Sequence, residues 1–142
     1  MIGSNFKYED NSKRVADAVD RAEYRNIGHA AASIRKEAIE SIESGDGPSA
    51  PGTPPHTHTR KVSKSGKVSK GQLPRAIVYD NDKESDTAVI GPRESVVGTS
   101  GEAHEFGGDY KGQDFPERPF MGPALDKNID RFASSFAGSI GS

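Results

Sequence analysis

The chain has 142 residues, with 19 Lys and Arg against 21 Asp and Glu and a net charge of −2. That is room for one domain, residues 1–142, and hardly two. Cysteine is absent, which excludes disulfides, a thiolate nucleophile and any cysteine-ligated zinc site. Leu, Ile, Val and Phe make up 25 residues, under a fifth of the chain. That fraction resembles a disordered protein, but the nearly balanced charge does not. The combination describes a folded protein with a thin core, of the kind partner subunits commonly complete; the alternative is a partly disordered monomer. No apolar run reaches signal-peptide or membrane-span length, so manufacture in the cytoplasm and no membrane partner are expected.

Residues 12–44 are predicted to form one long amphipathic helix. Val15, Val19, Ala22, Ile27, Ala30, Ala31, Ile34, Ala38 and Ile42 recur at three-and-four spacing. Asn11 or Ser12 is placed to cap it, and Lys36/Glu40 is one of several opposite-charge pairs four apart. A helix of that length projects beyond a body of this size or bends near Gly28, where glycine also permits a close contact. The Gly45-Asp46-Gly47-Pro48 run stops it.

Residues 45–72 read as an extended loop, Pro/Gly-rich at first and basic afterwards. From Arg60 to Arg75 there are six positive side chains and no acid, whereas residues 80–142 carry twelve acids and six bases. A basic loop beside an acidic body suits pairing between subunits, and it also suits phosphate contacts. The β region spans 73–108. Leu73 to Tyr79 and Asp86 to Ile90 are predicted strands of an antiparallel hairpin, Val96 and Val97 are weak strand formers, and His104 to Gly108 is a third strand.

Residues 115–122, Phe-Pro-Glu-Arg-Pro-Phe-Met-Gly, form a stiff arm. Pro116 and Pro119 fix their own φ and push Phe115 and Arg118 toward extended conformations. Pro123 falls where a helix begins, and residues 123–138 carry Leu125, Ile129, Phe132 and Phe136 at helical spacing, with Ile140 continuing the face. The expected fold class is therefore α+β. A small antiparallel sheet is packed by a long N-terminal helix and a C-terminal helix, with a long basic loop.

Catalytic motifs are lacking. No Gly-x-Ser-x-Gly elbow, phosphate-binding loop or defensible carboxylate pair occurs. His56 and His58, with His104 and Glu105, have the chemistry of a zinc site. But the His-x-His lies among prolines and threonines, and no His-Glu-x-x-His spacing exists. Exposed loop histidines and one strand-end histidine are the simpler reading, so no metal, cofactor or catalytic residue is expected. Arg118 is suited to clamping a carboxylate, within the subunit or across an interface. Phe120 reads as core, and Met121 as core or anchor. The candidate interface residues are Arg60, Lys61, Lys64, Lys67, Lys70, Arg118, Phe120 and Met121.

Five short motifs run collinearly through the chain: Ser49 to Pro55, Leu73 to Tyr79, Val89 to Pro92, His104 to Gly108 and Arg118 to Leu125. In that order they resemble the tail-component proteins of long-tailed bacteriophages, the tail-completion or tail-terminator type. The basic insert around Lys61 to Lys70 departs from the family pattern. The resemblance implies a structural, non-enzymatic virion protein of the neck. Its partners would be other copies of itself, most simply six in a ring, together with head-side connector or stopper proteins and the tail tube. DNA would pass through the channel without sequence-specific binding. The alternative is a DNA-binding accessory protein using residues 60–75.

Overall fold

Thirty residues of unbroken helix, α1 (Ser12–Ser41), form the spine of the molecule. The structure is a computed structural model that describes residues 10–57, 64 and 71–139. Along α1 the buried positions are Ala31, Ile34 and Ala38, with Ile42 following as the helix ends. These lie in the C-terminal half; residues 11–18 are exposed on every side, so the N-terminal turns project from the body. Capping differs from expectation, because Asn11 makes no side-chain cap bond and Asp10 Oδ1 instead accepts the Ser12 N–H at 2.9 Å. The Ser12 hydroxyl and, after it, the Ser12 N–H stabilise the ionised form of the exposed Asp10 and lower its pKa.

The fold is α+β, and among the described residues its strands form two separate ribbons rather than one sheet. The first pairs β1 (Ile77–Asp82) with β2 (Thr87–Pro92), antiparallel, from Ile77 opposite Pro92 to Asp82 opposite Thr87. Its base enters the core through Ile77, and the ribbon then lies along α1. At Gly28 the approach is close enough that a Cβ would come within 2.9 Å of Asn81 Nδ2. Glycine at mid-helix thus permits a close contact, and α1 continues through it unbroken. Arg35 ties the same pair of elements, its Nε donating to the Ile77 carbonyl at 2.7 Å.

Before β1, the residues expected to begin that strand form a single helical turn, α2 (Gln72–Ala76). Pro74 explains the correction: without an N–H it cannot join a ladder, but it fits the first turn of a helix at no cost. The pair Val96-Val97 also lies in a helical turn, α3 (Glu94–Val97), not in a strand. The expected third strand at His104 to Gly108 is instead the end of α4 (Ser100–Phe106), closed by Gly107 at φ +68°, whose N–H bonds to Ala103. Two glycines after a helix act here as a left-handed stop, which short-range pattern alone does not distinguish from a strand end. Only then comes the second ribbon, β3 (Gly108–Tyr110) against β4 (Gln113–Phe115).

The last helix, α5 (Met121–Ser139), runs antiparallel to α1. Glu37 pairs with Lys127 at 2.6 Å, Ser33 with Arg131 at 3.1 Å, and Asn26 with Ser135 at 3.5 Å. Its inward face is only partly the one expected. Ala124 and Asn128 are buried and Phe132 packs on the core, while Leu125 is 44% and Ile129 53% exposed. The small Ala124 meets the alanine stripe of α1 and lets the two backbones approach. Asn128 is tolerated inside because its Nδ2 donates to the Ala124 carbonyl at 2.7 Å. The core is therefore Ile34, Ala38, Ile42, Ile77, Phe120 and Ala124, flanked by Ile39, Leu73, Ile90, Met121 and Phe132.

Phe120 is the largest side chain in this small core and is 1% exposed. Replacing it by alanine is expected to cost about 3–5 kcal/mol, a large share of the stability of a domain this size. Urea unfolding of the Phe120→Ala protein measures the loss.

Candidate functional site

The arm from Pro116 to Phe120 contributes to two clefts among the described residues, Arg118 to one and Phe120 to the other. Its two prolines leave few N–H groups to hold it. The Arg118 N–H donates to the His104 carbonyl at 2.6 Å, and the Glu117 carbonyl accepts the Gly52 N–H at 2.8 Å. Arg118 Nε donates to the Ser49 carbonyl at 2.9 Å. The arm is thus bound to α4 on one side and to the 45–57 loop on the other. That loop is itself closed by Thr57, whose N–H reaches the Glu43 carbonyl at 2.8 Å and whose carbonyl accepts the Gly45 N–H at 3.2 Å. Gly107 is required where the arm passes α4, since a Cβ there would lie 2.9 Å from the Phe115 carbonyl oxygen.

The end of the arm is held by Glu105. Its Oε2 accepts the N–H groups of Phe120 and Met121, both at 2.9 Å, and its Oε1 accepts that of Gly122 at 2.7 Å. The first N–H groups of a helix have no partner inside it, and a carboxylate there also meets the positive end of the helix dipole. Sequence reasoning missed this role. With the helix expected from residue 123 the sequence carried no such signal; α5 begins at Met121 instead, and the residue before it, Phe120, has no oxygen to cap with, so the acceptor comes from elsewhere in the chain.

The cleft at Arg118 measures roughly 700 Å³. Arg118, His104, His56, Lys111, Tyr110 and Ser49 contribute its polar groups. Lys111 stands 5.3 Å over the Tyr110 ring, which packs edge-on against Phe115. Burial pushes the His104 imidazole below its ordinary value, and the positive Arg118 adds to the effect. The other cleft, roughly 370 Å³, is lined by Ile90, Pro92, Glu102, Phe106, Phe120 and Met121 among others. Phe106 stands beside it, 71% exposed.

Of the candidate interface residues, Arg118 is buried and spends its Nε on a carbonyl of its own chain, not on a carboxylate. Phe120 lies in the core, as read from the sequence; Met121 packs against the core and lines the smaller cleft. Lys64 is exposed. Arg60, Lys61, Lys67 and Lys70 lie outside the described residues, as does His58. His56 and His104 share the larger cleft, whereas Glu105 is turned to the start of α5. No cluster of three potential metal ligands occurs among the described residues. Nor is any described helix long and apolar enough to cross a membrane.

Comparison with protein-family models, with curated proteins and with solved structures finds no match.

Removing the carboxylate in Glu105→Ala should cost about 2 kcal/mol, because three N–H groups lose a charged acceptor. Glu105→Gln should recover part of that in chemical denaturation. His104 predicts a pH dependence. An unfolded imidazole binds its proton near pH 6.5, but the folded one does so only at lower pH. The stability that His104 contributes is thus present above about pH 6.5 and is lost as pH falls through the folded value. Thermal melts between pH 7.5 and 5 should show less decline for His104→Gln than for the parent chain.

Proposed function

We propose that this chain is a structural protein of the neck of a long-tailed bacteriophage, a tail-terminator or tail-completion protein that joins the tail to the head connector. The collinear motifs from Ser49 to Leu125 support this reading, and they bear no catalytic pattern. The observation that carries the assembly role is the apolar face left open on α5. Leu125 and Ile129, one turn apart, remain 44% and 53% exposed although Phe132 on the same helix is packed inward. A helix that turns two large aliphatic side chains to solvent gains when a neighbour covers them, at about 25 cal/mol per Å² of apolar surface.

In this reading the protein acts by position, not by reaction. Copies associate into a ring, which closes the apolar faces against each other or against connector and tail-tube subunits. An acidic body suits a passage through which DNA slides, because like charge keeps the polyanion from adhering.

The test is reconstitution. Heads and tails lacking this protein are mixed with the purified chain, and joined particles are counted by electron microscopy. Joining is expected with the parent protein and is expected to fall strongly with the double variant Leu125→Asp, Ile129→Asp, which should retain its helix content because both positions are solvent-facing. Undiminished joining by that variant would remove the α5 face from the assembly. Failure of the parent to join, together with duplex-DNA affinity that falls steeply with salt, would favour the accessory DNA-binding reading.

A further inference from the structure

We infer that the acidic tip of the β1–β2 hairpin of one copy docks in the cationic cleft of a second copy, forming a head-to-tail contact. This deepens the assembly reading and rests on it only for the place of the contact in a ring.

The cleft is electrostatically one-sided. Arg118 and Lys111 give it positive charge, His56 and His104 add imidazoles, and none of the described residues lining it is acidic. The acids adjacent in sequence to its lining residues, Asp46, Glu105, Asp109, Asp114 and Glu117, lie outside the lining. Ser49 lines the cleft too, 6% exposed, and its Oγ has no hydrogen-bond partner. A buried hydroxyl left unpaired is costly. The volume of the cleft is in the range of clefts that enclose a specific ligand.

The hairpin tip has the complementary chemistry and a fixed shape. Asp80, Asp82, Glu84 and Asp86 stand within seven residues, against the single Lys83. Asp82 is used to build the turn. Its Oδ1 accepts the Glu84 N–H at 2.9 Å and its Oδ2 accepts the Ser85 hydroxyl at 2.7 Å. Ser85 is further bonded to Thr87 at 2.7 Å. Asp80, Glu84 and Asp86 are exposed, and no ion pair among the described residues involves them. A turn already held by its own side chains loses little freedom on docking.

Geometry sends the tip to another copy. Asn81 sits against Gly28, and the strand register runs from the core at Ile77 outward to Asp82, so the tip points toward the N-terminal half of α1. The cleft is built by the segment that follows the C-terminal end of α1, from Gly47 to Thr57. From Gly28 to Ser41 alone the helix rises about 20 Å. Tip and cleft of one chain therefore lie at opposite ends of the molecule. A contact between two unlike surfaces of identical chains repeats, and it closes into a ring when the rotation per copy allows.

The absence of native cysteine makes a cross-linking test clean. Two full-length variants are prepared, Lys83→Cys at the tip and Gln72→Cys at the cleft; neither substitution removes a complementary charge. Mixed under mild oxidation, they should form a disulfide-linked dimer about tenfold faster than either variant alone, and raising the salt from roughly 0.05 to 1 M should abolish that advantage. Adding Lys111→Glu to the cleft variant should do the same at low salt. A mixed pair that cross-links no faster than its parts, or a Lys111→Glu variant without effect, would overturn the contact. Joining of heads to tails by the parent chain without such cross-linking removes this contact and leaves the neck reading intact. Cross-linking without joining does the reverse.

Discussion

The carboxylate of Glu105 is the point on which the described structure turns. Three consecutive N–H groups at the start of α5 converge on its two oxygens. No residue near that terminus supplies a cap, so α5 is held at its first turn by a side chain from α4. The consequence reaches well beyond one helix end. With Phe120 and Met121 held by their backbones, the Phe120 ring is directed into the core between α1 and β1, where it is the largest buried side chain. A core with so few large residues depends on each of them being aimed correctly, and the aim of this one is set by an ionic hydrogen-bond cluster outside the core.

The arm is the second consequence. Held by Glu105 at one end and by the β3–β4 ribbon at the other, it is straightened by two prolines and tied laterally to His104, Ser49 and Gly52. It cannot move without breaking contacts to three elements. The two clefts it contributes to therefore share a rigid element. They also differ in chemistry: the larger is cationic and polar, and the smaller is floored by Phe120 and Met121 with Phe106 beside it. A protein whose proposed work is to join other proteins gains from such a difference, because two neighbours can be recognised by different forces, one electrostatic and steered over distance, the other apolar and short-ranged.

The long helices and the β1–β2 hairpin were legible because their signals are local. The spacing of Ile34, Ala38 and Ile42 marks a buried helical face whatever packs against it, and the Asp80–Asp86 cluster marks a turn between two β-branched runs. The short elements were not. Leu73 to Ala76 and His104 to Gly107 have compositions that fit a strand as readily as a helical turn. What decides between them is whether a ladder partner lies alongside, and a proline and a left-handed glycine settle that only once the neighbours are in place.

By itself the sequence determined the α+β class, the existence of α1 and its buried stripe at Ile34, Ala38 and Ile42, the stiffness of the arm and the exclusion of cysteine chemistry. These follow from backbone torsions, helical periodicity and residue inventory, all properties of short stretches. Tertiary structure alone decided which stripe of α5 faces inward, where Arg118 donates and what caps α5. Rotating α5 by about 100°, one residue, exchanges Leu125 and Ile129 for Ala124 and Asn128 as the buried stripe. The small side chains win because they let α5 lie close on the alanines of α1. Arg118 finds its acceptor 69 residues away and Gly122 finds its own 17 away. Sequence patterning has no term for such distances; they are set when the arm, the loop and α4 close on one another.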